Sequence, residues 1–325
     1  MKLSLIIPVL NEEENIPHLV SAIDAAFAQE ADVELEMVFV DDGSCDRTFE
    51  ALSTLAQSDA RLRVISFSRN FGSHAALLAG FERCSGDAAA YLAADLQDPP
   101  SVLCTMLRKW RDGVSVVWGT REMRDDPFGT RVFSFIYSTL VRRFALPNMP
   151  RTGLDLCLID RKVINAVVAI REKNTSIFGL ILWSGFSQVF VPYHRQARKR
   201  GTSRWTLGKK IKLVVDSFVA FSFFPIRLVT YAGILFSVLG FAYGLFVVLR
   251  TLTVGAPLQG WATLVTLIVT LSGVQLLMLG VVAEYLWRTF DESRNRPPFI
   301  VRDAVGFNEL SSRTAASPQA APDRR

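Results

Sequence analysis

Two oxygen-bearing side chains, Asp95 and Gln97, lie two residues apart in the stretch YLAADLQDPP, residues 91–100. A carboxylate and an amide oxygen at that spacing suit a hard divalent cation such as Mg²⁺ or Mn²⁺. The run before them, Ala88 to Ala94, is apolar and reads as a buried strand. The pair would then stand at a strand's C-terminal end, where α/β folds collect their ligands. The competing reading is a solvated turn before a helix. Asp98-Pro99-Pro100 favours that reading for Asp98, which is expected to act as an N-cap with proline in the first turn. Asp98 is therefore assigned to structure, and Asp95 with Gln97 to chemistry.

Three more polar clusters end apolar runs in the same way. KLSLIIPV (2–9) reads as a strand and delivers Pro8 to Glu12. LEMVFVDDGS (35–44) delivers Asp41-Asp42-Gly43-Ser44, and LRVISFSRN (62–70) delivers Ser68-Arg69-Asn70. AAAYLAADL (88–96) is the fourth strand. Segments 13–29, 47–59 and 74–84 carry helical apolar spacing between them. Strands alternating with helices imply a parallel sheet covered on its faces, with every strand's C-terminal end on one edge. The four clusters therefore share that edge. DDGS is also a good turn in its own right, which is compatible with binding. Arg69 either reaches a bound phosphate or pairs with an acid.

The chain has 325 residues, half of them hydrophobic, and its net charge is +5. The apolar excess is concentrated late. No charged residue occurs from Leu228 to Leu249, nor from Thr251 to Ala283. A membrane span needs roughly 20 apolar residues. Residues 226–250 and 258–287 each satisfy this, with a break at Gly255-Ala256-Pro257. The basic run RQARKRGTSRWTLGKKIK (195–212) precedes the first span, and Arg288, Arg294 and Arg296 follow the second. By the positive-inside rule both termini and the globular region are expected in the cytoplasm. The N-terminus, which runs quickly into acids, reads as a strand and not as a signal peptide. Residues 207–225 read as an amphipathic interfacial helix, and 129–145 as either an interfacial or a buried helix. The tail 288–325 is expected to be cytoplasmic, with a disordered Ala/Pro-rich end. Four cysteines without metal spacing read as free thiols. The basic residues adjoin the spans and lack interleaved aromatics, so nucleic acid is not expected as a partner.

These segments together resemble the family 2 inverting glycosyltransferases of GT-A fold, specifically the polyprenyl-phosphate sugar transferases. The resemblance rests on IIPVLNEEENI, VDDGSCDRT, SRNFGSHAALLAG, ADLQDPP, GTREMR, LDLCLIDRKV, YHRQARKRGTSRW and AEYLWRTFDESRNRPPF, in this order. It spans about Leu3 to Val301. It implies an α/β nucleotide-sugar-binding domain over 1–206 with a Rossmann-like mixed sheet, followed by interfacial helices and two transmembrane helices. It implies transfer of a sugar from a nucleotide sugar, a UDP-sugar in the first instance, to undecaprenyl or another polyprenyl phosphate. The reaction would take place at the cytoplasmic face of a bacterial inner membrane and serve envelope glycan modification. A homo-oligomer is left open.

The resemblance also assigns roles. Pro8, Glu12, Asp41, Asp42, Arg69 and Asn70 would hold the nucleotide sugar. Asp95 and Gln97 would hold the metal, although the family's first metal-site aspartate is Ala93 here. Asp155 would orient the sugar or act as base, with Arg121 and Arg131 beside the reacting groups. Arg195, Arg198, Ser203, Arg204 and Lys209 would grip the acceptor phosphate. Positive-inside charge explains the sign of that run but not its Gly201, Ser203 and Trp205. A processive polysaccharide synthase is disfavoured, because Gly201 replaces the glutamine of its Q-x-x-R-W signature and two spans are too few for a channel. A second alternative is an impaired binding or scaffold protein, supported by Ala93 alone, and a third, a membrane-anchored nucleotidyltransferase, is disfavoured by the acceptor-loop match.

Overall fold

The computed structural model describes residues 1–121, 138–146, 148–150, 153, 154, 156–170, 172, 175–194, 219, 221, 222, 224–254 and 260–307. The chain divides into two units, Met1–Thr206 with Pro297–Arg325, and Leu207–Arg296. The first is built on strands β1 (Lys2–Val9), β2 (Glu34–Asp41), β3 (Leu62–Phe67), β4 (Ala88–Tyr91), β5 (Val116–Arg121), β6 (Leu156–Asp160), β7 (Gln188–Tyr193) and β8 (Val301–Val305). Its helices are α1 (Ile16–Phe27), α2 (Thr48–Ser58), α3 (Ser73–Arg83), α4 (Ser101–Arg111), α5 (Arg161–Ala169) and α6 (Ile177–Trp183). The strands form an eight-stranded sheet in the order β7-β5-β6-β4-β1-β2-β3-β8. Pairing of β1 with β2 and β4, β2 with β3, and β5 with β7 is parallel; β6 and β8 run antiparallel to their neighbours.

The central strands are apolar on both faces because both faces are covered. Leu3, Leu5 and Ile7 of β1 join a core with Leu19 and Ile23 of α1 and Leu103, Met106 and Leu107 of α4. Ile6 faces the other way, onto α3. The helix comes so close there that a side chain at Gly80 would meet Ile6 directly. Burial of a large aliphatic side chain contributes about 1.5–3 kcal/mol, so this double layer dominates the unit's stability.

The predicted strands and helices of the first third are present, with two corrections. The strand expected over 88–96 ends at Tyr91; Leu92 still donates to the Ile6 carbonyl at 3.1 Å, and the chain then turns, with Leu96 at φ 56°. Asp98 is not the N-cap of α4, which begins at Ser101 with Pro100 in the cap position. Its carboxylate is buried and accepts the Tyr193 hydroxyl at 2.7 Å, tying the end of β7 to the loop after β4. The expected tail also holds an unforeseen strand, β8, which pairs with β3. Of the expected helix 129–145, residues 138–144 are helical, 145 is in a turn and 129–137 lie outside the described residues, as do 207–218 of the expected interfacial helix. The expected disordered end also lies outside them, beyond Phe307.

The second unit contains α7 (Phe224–Val254) and α8 (Trp261–Ser293), with 31 and 33 residues. Within them Ile226–Phe246 and Thr270–Ser293 are long and apolar enough to cross a membrane. At 1.5 Å per residue each helix exceeds the hydrocarbon thickness of about 30 Å. Phe241, Leu252 and Leu277 are 75–78% exposed, a degree of apolar exposure that water does not favour on this scale. The hydroxyl of Thr230 bonds back to the Ile226 carbonyl at 3.0 Å, which removes a polar group from an apolar surround. These helices associate the chain with a membrane.

Candidate active site at the C-terminal edge of the sheet

Strands β1, β2 and β3 step one way across the sheet, and β4 lies on the opposite side of β1. The order therefore reverses between β1 and β4. The crevice outside such a reversal is where open α/β sheets bind ligands. The loop after β1 carries Glu12 and the loop after β4 carries Asp95 and Gln97, so both flank the reversal. Pro8 sits in β1, where a proline would normally break a central strand. The β4 ladder ends at the Ile6–Tyr91 pair, and Pro8, two residues on, faces the same way beyond it. Its missing donor therefore leaves no gap in the ladder.

The loops after β1 and β2 are bonded to each other. Asn11, at φ 54°, donates its backbone N–H to Ser44 Oγ at 2.9 Å, and its side-chain oxygen accepts from Cys45 N at 2.8 Å. Glu12 N donates to Thr48 Oγ1 at 2.9 Å, and the Glu12 carboxylate accepts from Asn15 Nδ2 at 2.6 Å. Gly43 takes φ 74°, and an added Cβ would come within 2.5 Å of the Arg69 carbonyl carbon. Glycine is thus required both for its left-handed backbone and for the approach of the loop after β3.

The two aspartates of the DDGS turn point inward. Asp41 has no exposed surface; it accepts from Ser44 N at 2.9 Å and from Ser66 Oγ at 2.8 Å. Asp42 is 4% exposed and accepts from Phe71 N at 2.6 Å and Gly72 N at 2.9 Å. Burial pushes the Asp42 carboxyl above its usual range. The N–H groups of Phe71 and Gly72 pull it down, Asp41's charge adds to the rise and Arg69's opposes it. In this arrangement neither carboxylate offers surface to a nucleoside. Both instead hold the loops after β2 and β3 in place.

Of the predicted site residues, Pro8, Glu12, Arg69, Asn70, Asp95, Gln97 and Arg121 keep surface on this edge. Arg69 lies 4.0 Å over the Phe71 ring and donates to the Asn70 carbonyl at 3.2 Å. Arg121 ends β5 opposite Tyr193 of β7. Strand β6 begins at Leu156, opposite Gly119, so the chain re-enters the sheet from this same edge. Arg131, Asp155, Arg195, Arg198, Ser203, Arg204 and Lys209 lie outside the described residues. Sequence reading missed Ser66, Tyr193 and Arg302. The first two sit within largely apolar strands, and the third belongs to a strand with no clear apolar pattern.

Asp95 and Gln97 stand on one half-buried loop, with Gln97 N donating to Asp95 Oδ1 at 3.2 Å. Among the described residues no group of three His, Cys, Asp or Glu side chains could hold an ion unaided. Ala93 brings no oxygen. Two hard oxygen donors on an accessible loop nonetheless fit Mg²⁺ or Mn²⁺, provided that a ligand's phosphate oxygens and water complete the shell.

Residues 4–168 match the family model "Glycosyl transferase family 2", and residues 224–288 match "GtrB C-terminal hairpin". An uncharacterized glycosyltransferase of Synechocystis sp. is 36% identical over 95% of this chain and 98% of its own length. The bactoprenol glucosyl transferase of Shigella phage SfV is 35% identical over 93% of this chain and 99% of its own. Among solved structures, a mannosyltransferase of Pyrobaculum calidifontis in complex with GDP-Man and Mn²⁺ aligns at 18% identity and TM-score 0.44, over 88% of this chain and 87% of its own. That last likeness is too slight to add to the assignment. With a mixed sheet of GT-A type, the loops described above and matches of one-third identity along nearly the whole length, the chain belongs to glycosyl transferase family 2 and is a glycosyltransferase.

Proposed function

We propose that this glycosyltransferase moves a sugar from a nucleotide sugar, in the first instance a UDP-sugar, to a polyprenyl phosphate, with undecaprenyl phosphate as the natural acceptor. The observation that carries the reading is the full-length match to relatives named bactoprenol glucosyl transferase, apolar hairpin included. An enzyme acting only on soluble acceptors has no need of two membrane helices joined to its catalytic sheet.

In this reading the donor lies across the β1–β4 reversal. The interlocked loops at 10–15 and 42–48 cradle the nucleoside, with Glu12 and Pro8 at its rim and Asp41 and Asp42 holding the loops' shape. Arg69 and Asn70 meet the phosphates. Asp95 and Gln97 would hold Mg²⁺ or Mn²⁺, which supplies positive charge to the departing diphosphate. A phosphate oxygen of the acceptor attacks the anomeric carbon, the bond to the diphosphate breaks, and the configuration inverts. The acceptor is already anionic near neutral pH, so no strong base is needed. Positioning and balanced cationic contact carry the rate. Arg195, Arg198, Ser203, Arg204 and Lys209, with Arg121 and Arg131, supply that contact, and Asp155 orients the sugar. The catalytic unit and both termini face the cytoplasm of a bacterium, and the product enters envelope glycan modification.

The test is a panel. Purified full-length protein is mixed with a short polyprenyl phosphate and each of several UDP-sugars, with Mg²⁺ or Mn²⁺. One donor is expected to give a lipid-monophosphate sugar with inverted anomeric configuration by NMR. Absence of lipid-linked product with every donor and both ions would overturn the proposal.

A further inference from the structure

The segment that follows the membrane hairpin returns to the catalytic sheet and runs along β3. Ile300 accepts from Ser68 N at 3.0 Å, and Phe299 stacks on Phe67 with ring centroids 5.0 Å apart. Strand β8 then pairs antiparallel with β3 from Phe67–Val301 to Val64–Val305. Arg302, though its side chain is about half exposed, reaches a buried strand residue with one guanidinium nitrogen. Arg302 Nη2 donates to Ser66 Oγ at 2.9 Å, and Ser66 Oγ donates to Asp41 Oδ2 at 2.8 Å. The other Asp41 oxygen accepts from Ser44 N, and Ser44 Oγ accepts from Asn11 N. Four consecutive hydrogen bonds therefore connect a residue downstream of the hairpin to the loop after β2 and, through it, to the loop after β1 that flanks the β1–β4 reversal.

The direction of the bonds gives the connection physical content. A serine hydroxyl has one proton. With a guanidinium donating to its oxygen, that proton is committed to Asp41, and the cation polarises the hydroxyl and strengthens the bond it gives. Asp41 has no contact with water, so its carboxylate depends on such partners to stay where Ser44 N can use it. Arg302 is itself held, by Asp303 Oδ2 at 3.0 Å and over the Phe49 ring at 5.6 Å.

We propose that Arg302 is a positioning residue for the donor-nucleotide site, acting through Ser66 and Asp41 on the DDGS turn. The chain beyond the hairpin is thereby part of the donor site's framework. The inference rests on the reading of this edge as a nucleotide-sugar site. The membrane helices are consequently inserted into the catalytic sheet's chain between β7 and β8, not appended to a finished domain.

The experiment uses full-length protein in detergent. UDP affinity is read by calorimetry, and KM and kcat are read with the UDP-sugar that turns over in the panel above. Arg302→Ala is expected to weaken UDP and raise donor KM about tenfold, the worth of one charge-assisted hydrogen bond, with kcat within about threefold. Arg302→Lys, which keeps a charged donor, is expected to recover most of that loss. Ser66→Ala leaves β8 untouched and should produce the same KM change, and the double variant should be no worse than either single one. Wild-type affinity in Ser66→Ala, or additive losses in the double variant, would overturn the proposal even if Arg302→Ala folds poorly. Failure of the wild type to bind UDP at all would instead overturn the reading of the site.

Discussion

At the scale of single residues, the site is governed by which polar groups face inward. Asp95→Asn keeps the size of the side chain and removes the charge that a divalent ion requires. Turnover is expected to fall at least about a hundredfold, with a raised Mn²⁺ requirement in a metal titration. Wild-type turnover and metal dependence in that variant would remove Asp95 from the metal site. Gly43→Ala tests the loop approach. Its φ of 74° and the 2.5 Å contact with Arg69 leave a methyl group no room. A loss of about 2 kcal/mol in stability and a clear rise in donor KM are expected, measured by denaturant unfolding and initial rates. The residue types at this edge were legible in the sequence, because polar clusters punctuate apolar runs. The inward orientation of Asp41 and Asp42 was not. It depends on Ser66 and on the backbone of Phe71 and Gly72, partners 25–30 residues away that no local pattern names.

Elements were legible where periodicity was strong. β1 was read to the residue because a strand buried on both faces is apolar throughout. β8 was invisible, since its three central residues are exposed and its partner β3 lies more than 230 residues earlier. The opposite end of the sheet shows another long-range device. Glu36 of β2 is 2% exposed, accepts from Ser4 and from Ser85 N and Oγ, and pairs with Arg63 at 2.9 Å. Burial alone would raise its carboxyl. The hydrogen bonds of Ser4 and Ser85 and the charge of Arg63 outweigh burial and hold it below the ordinary glutamate range. A carboxyl lowered in the folded state stabilises it fully above the unfolded value, and that stabilisation is lost as pH falls through the folded value. Glu36→Gln should therefore cost about 3 kcal/mol near neutral pH and progressively less as the pH falls below the ordinary glutamate range. Urea midpoints measured from pH 7 down to pH 2 give the comparison; an equal loss throughout would show that charge is not what Glu36 contributes.

For the whole molecule, the two membrane helices were legible from length and charge-free composition alone. The sequence did not reveal that the chain comes back from them to complete its sheet. The proposed sidedness rests on charge: Arg288 lies near the end of α8, Arg294 and Arg296 follow it and a basic run precedes α7, while the connection between them carries no charge from Thr251 to Trp261. The protein contains its own reporter for this. Cys45 is exposed in the loop after β2, whereas Cys84, Cys104 and Cys157 are buried. Burial raises all three thiols, that of Cys157 to about 12, so they are poor nucleophiles at neutral pH. A membrane-impermeant maleimide should therefore modify one thiol per chain without any engineered cysteine. In sealed inside-out vesicles Cys45 is expected to react promptly. In sealed right-side-out vesicles it should react only after the bilayer is opened with detergent. Prompt labelling in intact right-side-out vesicles would place the catalytic sheet on the outer face, away from cytoplasmic nucleotide sugars, and the proposed reaction could not proceed there.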